Sequence, residues 1–118
     1  MLREFEEANG HDVPEHPRIP TFSVSSLRMK LLHEEFSEYR EAENKRSIID
    51  IADALADIVY IAIGTAVLYG IPFDKVFEEV HRSNMSKMGA DGRPVRRADG
   101  KIMKGENFTP PDIEGIIF

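Results

Sequence analysis

Between Ser47 and Tyr69 the chain is apolar on almost every side of a helix: Ile48, Ile49, Ile51, Leu55, Ile58, Val59, Ile61, Ile63, Val67 and Leu68. A helix of this kind must bury most of its circumference. Its polar interruption is ordered, because Asp50, Asp53, Asp57, Tyr60 and Gly64 follow steps of three and four and so line one narrow face. Asp is a poor helix-interior residue, since its short side chain competes for backbone hydrogen bonds. A solvated face would more usually carry Lys, Arg and Glu. The stripe therefore reads as a site; the bland alternative is the wet edge of the helix, with Asp50 favoured near the N-terminus by the macrodipole. Ser47 is placed to cap this helix and Gly70 to end it. Its uncharged run, Ile58 to Phe73, is shorter than the roughly 18 apolar residues of a spanning segment and is broken by Gly70 and Pro72, which predicts a core helix.

Helical spacing extends to both sides. Residues 23–44 are strong helix formers, with Leu27, Leu31, Leu32 and Phe36 as the expected apolar stripe. Asn44 to Ser47 is a short polar break, which predicts antiparallel neighbours. After Gly70, Pro72 suits a first helical turn, and Phe73, Val76, Phe77, Val80, Met85 and Met88 mark one face of a third helix stopped by Gly89. A short helix is expected over 2–8, followed by a loop enforced by Gly10, Pro14, Pro17 and Pro20. Ala90-Asp91-Gly92-Arg93 and Ala98-Asp99-Gly100-Lys101 both carry an Asp-Gly turn signal, and Val95 and Ile102 lie on segments able to pair as a hairpin. Ile113, Ile116, Ile117 and Phe118 are expected to pack on the helices or on a second subunit. The predicted fold is all-α: an antiparallel bundle of about four helices with a C-terminal turn or hairpin tail.

With 118 residues, one domain is expected over 1–118, its helical core at about 23–88 and its tail at 89–118. A core of this size leaves apolar surface for a partner, which predicts a homodimer or a dimer of dimers. The net charge of −6 argues against nucleic-acid polymers and anionic membranes as partners. The absence of Cys excludes thiolate metal sites and Cys nucleophiles. The N-terminal Met1-Leu2-Arg3-Glu4-Phe5-Glu6-Glu7 lacks the basic-then-apolar order of a signal peptide, and a cytoplasmic location is expected.

The acid is concentrated. Glu34, Glu38 and Glu41 share one stripe of the 23–44 helix, and Glu35 lies beside it, near enough to Glu38 for both to enter a common space. Taken alone, this is better explained by a solvated acidic face than by a metal site. Facing the Asp stripe of the next helix, it becomes an oxygen-only constellation with no basic residue on that helix to neutralise it. Buried carboxylates without partners are costly, so the natural counter-ion is a hard divalent cation, Mg²⁺ or Mn²⁺. Such an ion serves phosphate chemistry, in which water activated by the metal attacks phosphorus.

Glu34-Glu35-x-x-Glu38 followed by Ala54-Leu55-Ala56-Asp57-Ile58-Val59-Tyr60 resembles the two-helix signature of the all-α NTP pyrophosphohydrolases, the superfamily of MazG-like proteins, phosphoribosyl-ATP pyrophosphohydrolase and dimeric dUTPases. The run from His81-Arg82-Ser83-Asn84-Met85-Ser86-Lys87 through Gly100-Lys101, Lys104-Gly105 and Pro110-Pro111-Asp112 is similar to the tail of the short MazG-like branch. The resemblance implies Mg²⁺-dependent hydrolysis of a nucleoside triphosphate between its α and β phosphates. It places Glu34, Glu35, Glu38 and Asp57 as metal-binding acids, with Glu34 or Glu35 as base or orienter of the attacking water. Where the family often has Glu-x-x-Asp, this chain has Ala54 three before Asp57, and Asp53 is the nearest acid able to replace the missing ligand. Asn84 and Lys87, with Lys101 and Lys104 from the tail, are the implied substrate contacts; local hydrogen bonding and surface solvation are their plain alternatives.

Two rival classes stand beside this. A ferritin-like di-iron bundle would use Glu78-Glu79-Val80-His81, but needs two such Glu-x-x-His motifs and only one is present. A non-catalytic helical interaction module would leave both acidic stripes solvated and dock a partner through the Ile-rich tail.

Overall fold

The computed structural model describes residues 1–89 and 91–118; Ala90, the first residue of the earlier Asp-Gly turn, lies outside them. Among the described residues there are five helices and one two-stranded ribbon, so the all-α expectation holds. Two compact units are distinguished, Met1–Ile71 and Pro72–Phe118.

The first unit contains α1 (Leu2–Ala8), α2 (Phe22–Lys45) and α3 (Ile48–Leu68). Ser47 caps α3 as expected, its hydroxyl accepting from the Asp50 amide at 3.2 Å. Arg46 takes a left-handed conformation (φ 53°), which closes α2 and leaves a link of only Arg46 and Ser47. So short a link turns α3 back along α2. Ser25 Oγ accordingly meets Tyr69 Oη at 2.9 Å, and Arg28 reaches Ile61 and Thr65.

The buried hydrophobics are Ala42 of α2 and Ala54, Ala66 and Leu68 of α3. Of the predicted α2 stripe of Leu27, Leu31, Leu32 and Phe36, only Leu31 is half-buried; the other three stay between 41% and 49% exposed. Arg28, Glu35 and Ala42, at seven-residue spacing, share the inward face with Leu31. Helix α1 lies against α3, with Phe5 and Tyr60 in an edge-to-face contact at 5.4 Å. The following loop returns beneath the end of α3: Arg18 N donates to Tyr69 O at 2.9 Å, and Gly70 (φ 69°) passes so close to His16 O that an added Cβ would sit 2.5 Å from it. By length and composition α3 is apolar enough to cross a membrane, contrary to the predicted shortfall. The uncharged run is short, but the apolar helix extends back through Asp50, Asp53 and Asp57 to Ile48.

In the second unit, α4 (Phe73–Met85) ends three residues before the expected Met88. Ser86 Oγ turns back onto Ser83 O at 2.6 Å, and Met88 is already extended, bridged to Pro94. The hairpin forms as predicted, β1 (Val95–Arg96) pairing antiparallel with β2 (Ile102–Met103), with Val95 opposite Met103. Its turn holds Gly100 at φ 89° and the Arg97–Asp99 pair at 2.6 Å. A short α5 (Ile113–Ile117), not foreseen, is capped by Asp112, which accepts from the Gly115 amide at 3.0 Å. The tail packs on α4. Arg82 donates to Thr109 Oγ1 at 2.6 Å and to Pro110 O at 3.2 Å, and the buried Ser83 hydroxyl donates to Thr109 O at 2.9 Å.

Candidate metal centre

Antiparallel pairing brings the middle of α2 to the middle of α3. There Glu35, Glu38 and Asp57 each offer a carboxylate oxygen, and the three atoms lie within 4.8 Å of one another. Glu35 and Asp57 are half-buried and Glu38 is exposed, and among the described residues none of the three has a basic partner. One oxygen of Glu35, Oε2, is shielded from solvent and has no hydrogen-bond partner. An orphaned buried carboxylate oxygen is a costly feature for a native chain to retain. Loss of solvent is the largest influence raising the Glu35 carboxyl above its ordinary value of 4.5; the charges of Glu38, Asp57 and Glu34 add to it. A cation bound among these oxygens would offset these influences by favouring the ionised form. The donor set is purely oxygen, converging and uncompensated, which fits a hard divalent ion rather than a soft one.

The surrounding acids take graded positions. Glu34 is exposed and outside the three-residue cluster, though its charge reaches Glu35. Asp53 is exposed and lines a depression with Glu38, Glu41, Lys45 and Asp50, nearer the turn between α2 and α3. Glu41 is engaged with Lys45 at 3.5 Å. Ala54, where the family often has Glu, is buried at 4% exposure. Asn84, Lys87, Lys101 and Lys104 belong to the second unit. Lys104 Nζ sits 4.8 Å above the Phe108 ring, the Lys87 carbonyl accepts from the Gly105 amide at 2.9 Å, and Lys101 is exposed at the hairpin turn. Glu78 and His81 enter no cluster of three ligands among the described residues, which removes the support for a di-iron site.

Sequence reasoning did not find Arg28, Glu6 or His11. Arg28 is 7% exposed and Glu6 2%, and both stand among the buried polar groups. The available signal was the position of Arg28, seven residues before Glu35 and therefore on the same face of the helix.

Comparison with known proteins gives the family and the fold. The sequence profile of phosphoribosyl-ATP pyrophosphohydrolase matches residues 2–84, which span α1 to α3 and nearly all of α4. Among solved structures, a protein of Exiguobacterium sp. 255-15 named as a candidate NTP pyrophosphohydrolase matches with a TM-score of 0.52 and 24% identity, covering 98% of this chain and 90% of that one. This likeness concerns the fold. A search of curated proteins gives no significant match.

Proposed function

The chain belongs to the phosphoribosyl-ATP pyrophosphohydrolase family, and from that premise we propose that it hydrolyses a nucleoside triphosphate between the α and β phosphates. The products are a nucleoside monophosphate and pyrophosphate. One observation carries the proposal: Glu35, Glu38 and Asp57 converge within 4.8 Å with a shielded Glu35 oxygen left unpaired. These three would hold Mg²⁺ or Mn²⁺, with Asp53 in reserve beside Glu38. Such an ion offsets the phosphate charge and favours attack by water at the α phosphorus.

The chain's own residues divide the remaining work. Glu34 stands exposed next to the cluster, free to take the proton of the attacking water as its oxygen bonds to the α phosphorus. Glu35 is held among other carboxylates and is better suited to the ion. Lys101 and Lys87, which make no ion pair among the described residues, together with Asn84 and Lys104, are assigned to the nucleotide and its phosphates. The neighbour from Exiguobacterium sp. 255-15 carries an NTP pyrophosphohydrolase name, which supports this substrate class.

A panel of ribo- and deoxynucleoside triphosphates with pyrophosphate detection tests the proposal. The expected result is release that requires Mg²⁺ or Mn²⁺. Glu34→Gln should lower kcat by about a hundredfold, within the usual range for a proton-transfer group, while leaving metal affinity intact. Glu38→Gln and Asp57→Asn should instead weaken metal binding. No pyrophosphate from any nucleotide with either ion would refute it.

The same chemistry favours a self-associated protein. On α3, Ile48, Leu55 and Val59 stay at least 47% exposed on the side opposite Asp57, and on α2 Phe22, Met29 and Phe36 recur every seven residues, also exposed. A lipid environment is disfavoured, because each Asp carried into a bilayer costs roughly 2.5–3.5 kcal/mol and α3 carries three. A second copy in the cytoplasm is the partner we assign, giving a homodimer or a dimer of dimers.

A further inference from the structure

We propose that Arg28 is a positioning residue that fixes the stagger of α2 on α3 and so holds the carboxylates of the candidate metal centre in register. The inference rests on the metal-site assignment made above.

Arg28 lies on α2, two helical turns before Glu35. Its Nε donates to Thr65 Oγ1 at 3.0 Å and its Nη2 to Ile61 O at 3.2 Å, both on α3, while Nη1 stands 3.6 Å from Glu6 Oε1 on α1. Thr65 Oγ1 in turn donates to Ile61 O at 2.7 Å, and Glu6 Oε2 is paired with His11 Nδ1 at 2.6 Å. The guanidinium thus joins three helices while almost wholly buried. Planar, rigid and permanently charged, it fixes relative position better than a flexible ammonium would. Gly64 leaves the space for it: an added Cβ would stand 2.8 Å from Glu6 Oε1 and 2.9 Å from Arg28 Nη2.

Register needs such a device here. Three of the four buried hydrophobics on these helices are alanines, and small side chains offer few knobs to resist sliding. At the same time Glu35, Glu38, Asp57 and Glu34 repel one another when no ion is bound. The turn at Arg46 and Ser47 fastens the pair at one end; Arg28 fastens it beyond the site at the other. A slip of one helical turn, about 5.4 Å, would exceed the 4.8 Å span of the three carboxylate oxygens and abolish the cluster.

The test is Mn²⁺ binding to the purified full chain by calorimetry, at a temperature where circular dichroism shows each variant folded. Glu6→Leu combined with Arg28→Met replaces the ion pair by apolar groups and avoids stranding a charge. It should weaken Mn²⁺ binding about tenfold or more, the usual scale for groups that support a ligand shell. Thr65→Val removes one acceptor of the bridge and should act in the same direction; it carries the test alone if the double variant does not fold. Glu6→Gln loosens α1 but leaves Arg28 on α3, and should stay within about twofold of the parent. A folded double variant with parental Mn²⁺ affinity overturns the proposal, as does an equal loss in Glu6→Gln, which would indicate general destabilisation. Failure of the parent to bind Mn²⁺ also overturns it. If the parent binds Mn²⁺ but releases no pyrophosphate, only the proposed activity falls.

Discussion

Glu35 is the residue at which structure and chemistry meet. Its carboxyl is raised above 4.5 by lost solvent and by like charges, so folding disfavours its ionised form. The stability this group contributes is present below about pH 4.5 and is lost as pH rises through the raised folded value. At neutral pH without metal, Glu35 therefore opposes folding. Glu35→Gln should raise the metal-free Tm at pH 7, and the gain should disappear as the pH falls below about 4.5. With Mg²⁺ or Mn²⁺ present the order should reverse, since only the parent gains from the bound ion. Thermal melts with chelator and with metal, across pH, check all three outcomes.

At the level of elements, the bounds of α3, its Ser47 cap and its Asp stripe appear where periodicity placed them, whereas the expected burial of most of its circumference is not reached within the single chain, where Ile48, Ile49, Leu55 and Val59 stay exposed. Three of the four nominated carboxylates that carry the resemblance came together, because helical spacing and a short link leave few other arrangements. What was not legible depended on contacts between elements. The stripe of Leu27, Leu32 and Phe36 has the right period, but a period cannot tell the face turned to a neighbouring helix from one left for another subunit. Glu6 is one of several acids near the N-terminus, and nothing local distinguishes it from Glu4 or Glu7. The five-residue α5 was missed because Pro110 and Pro111 dominate its surroundings. Gly64 shows the same dependence. In sequence it merely continues a small or polar stripe, whereas in the fold it makes room for the Glu6–Arg28 pair. Gly64→Ala should destabilise the chain by about 1–3 kcal/mol through overpacking, despite the better helix propensity of Ala. Hydrogen exchange should show protection lost first in α1, and urea titration gives the magnitude.

For the whole molecule, the exposed apolar residues of α2 and α3 are the dominant surface fact. Val59→Glu puts a charge on the face of α3 opposite Asp57, where Val59 is 54% exposed in the single chain. Light scattering after size exclusion should find the parent at a multiple of 13.4 kDa and the variant shifted toward that value. A parent already monomeric would refute the assigned second copy.

At position 54, where the resemblance leads one to expect a fourth carboxylate, this chain has the buried methyl group of Ala54. One negative charge fewer between the helices lowers the repulsion that folding without an ion must overcome. On this reading we expect cation binding to follow folding rather than to be required for it, so chelator should lower the Tm without unfolding the chain at room temperature.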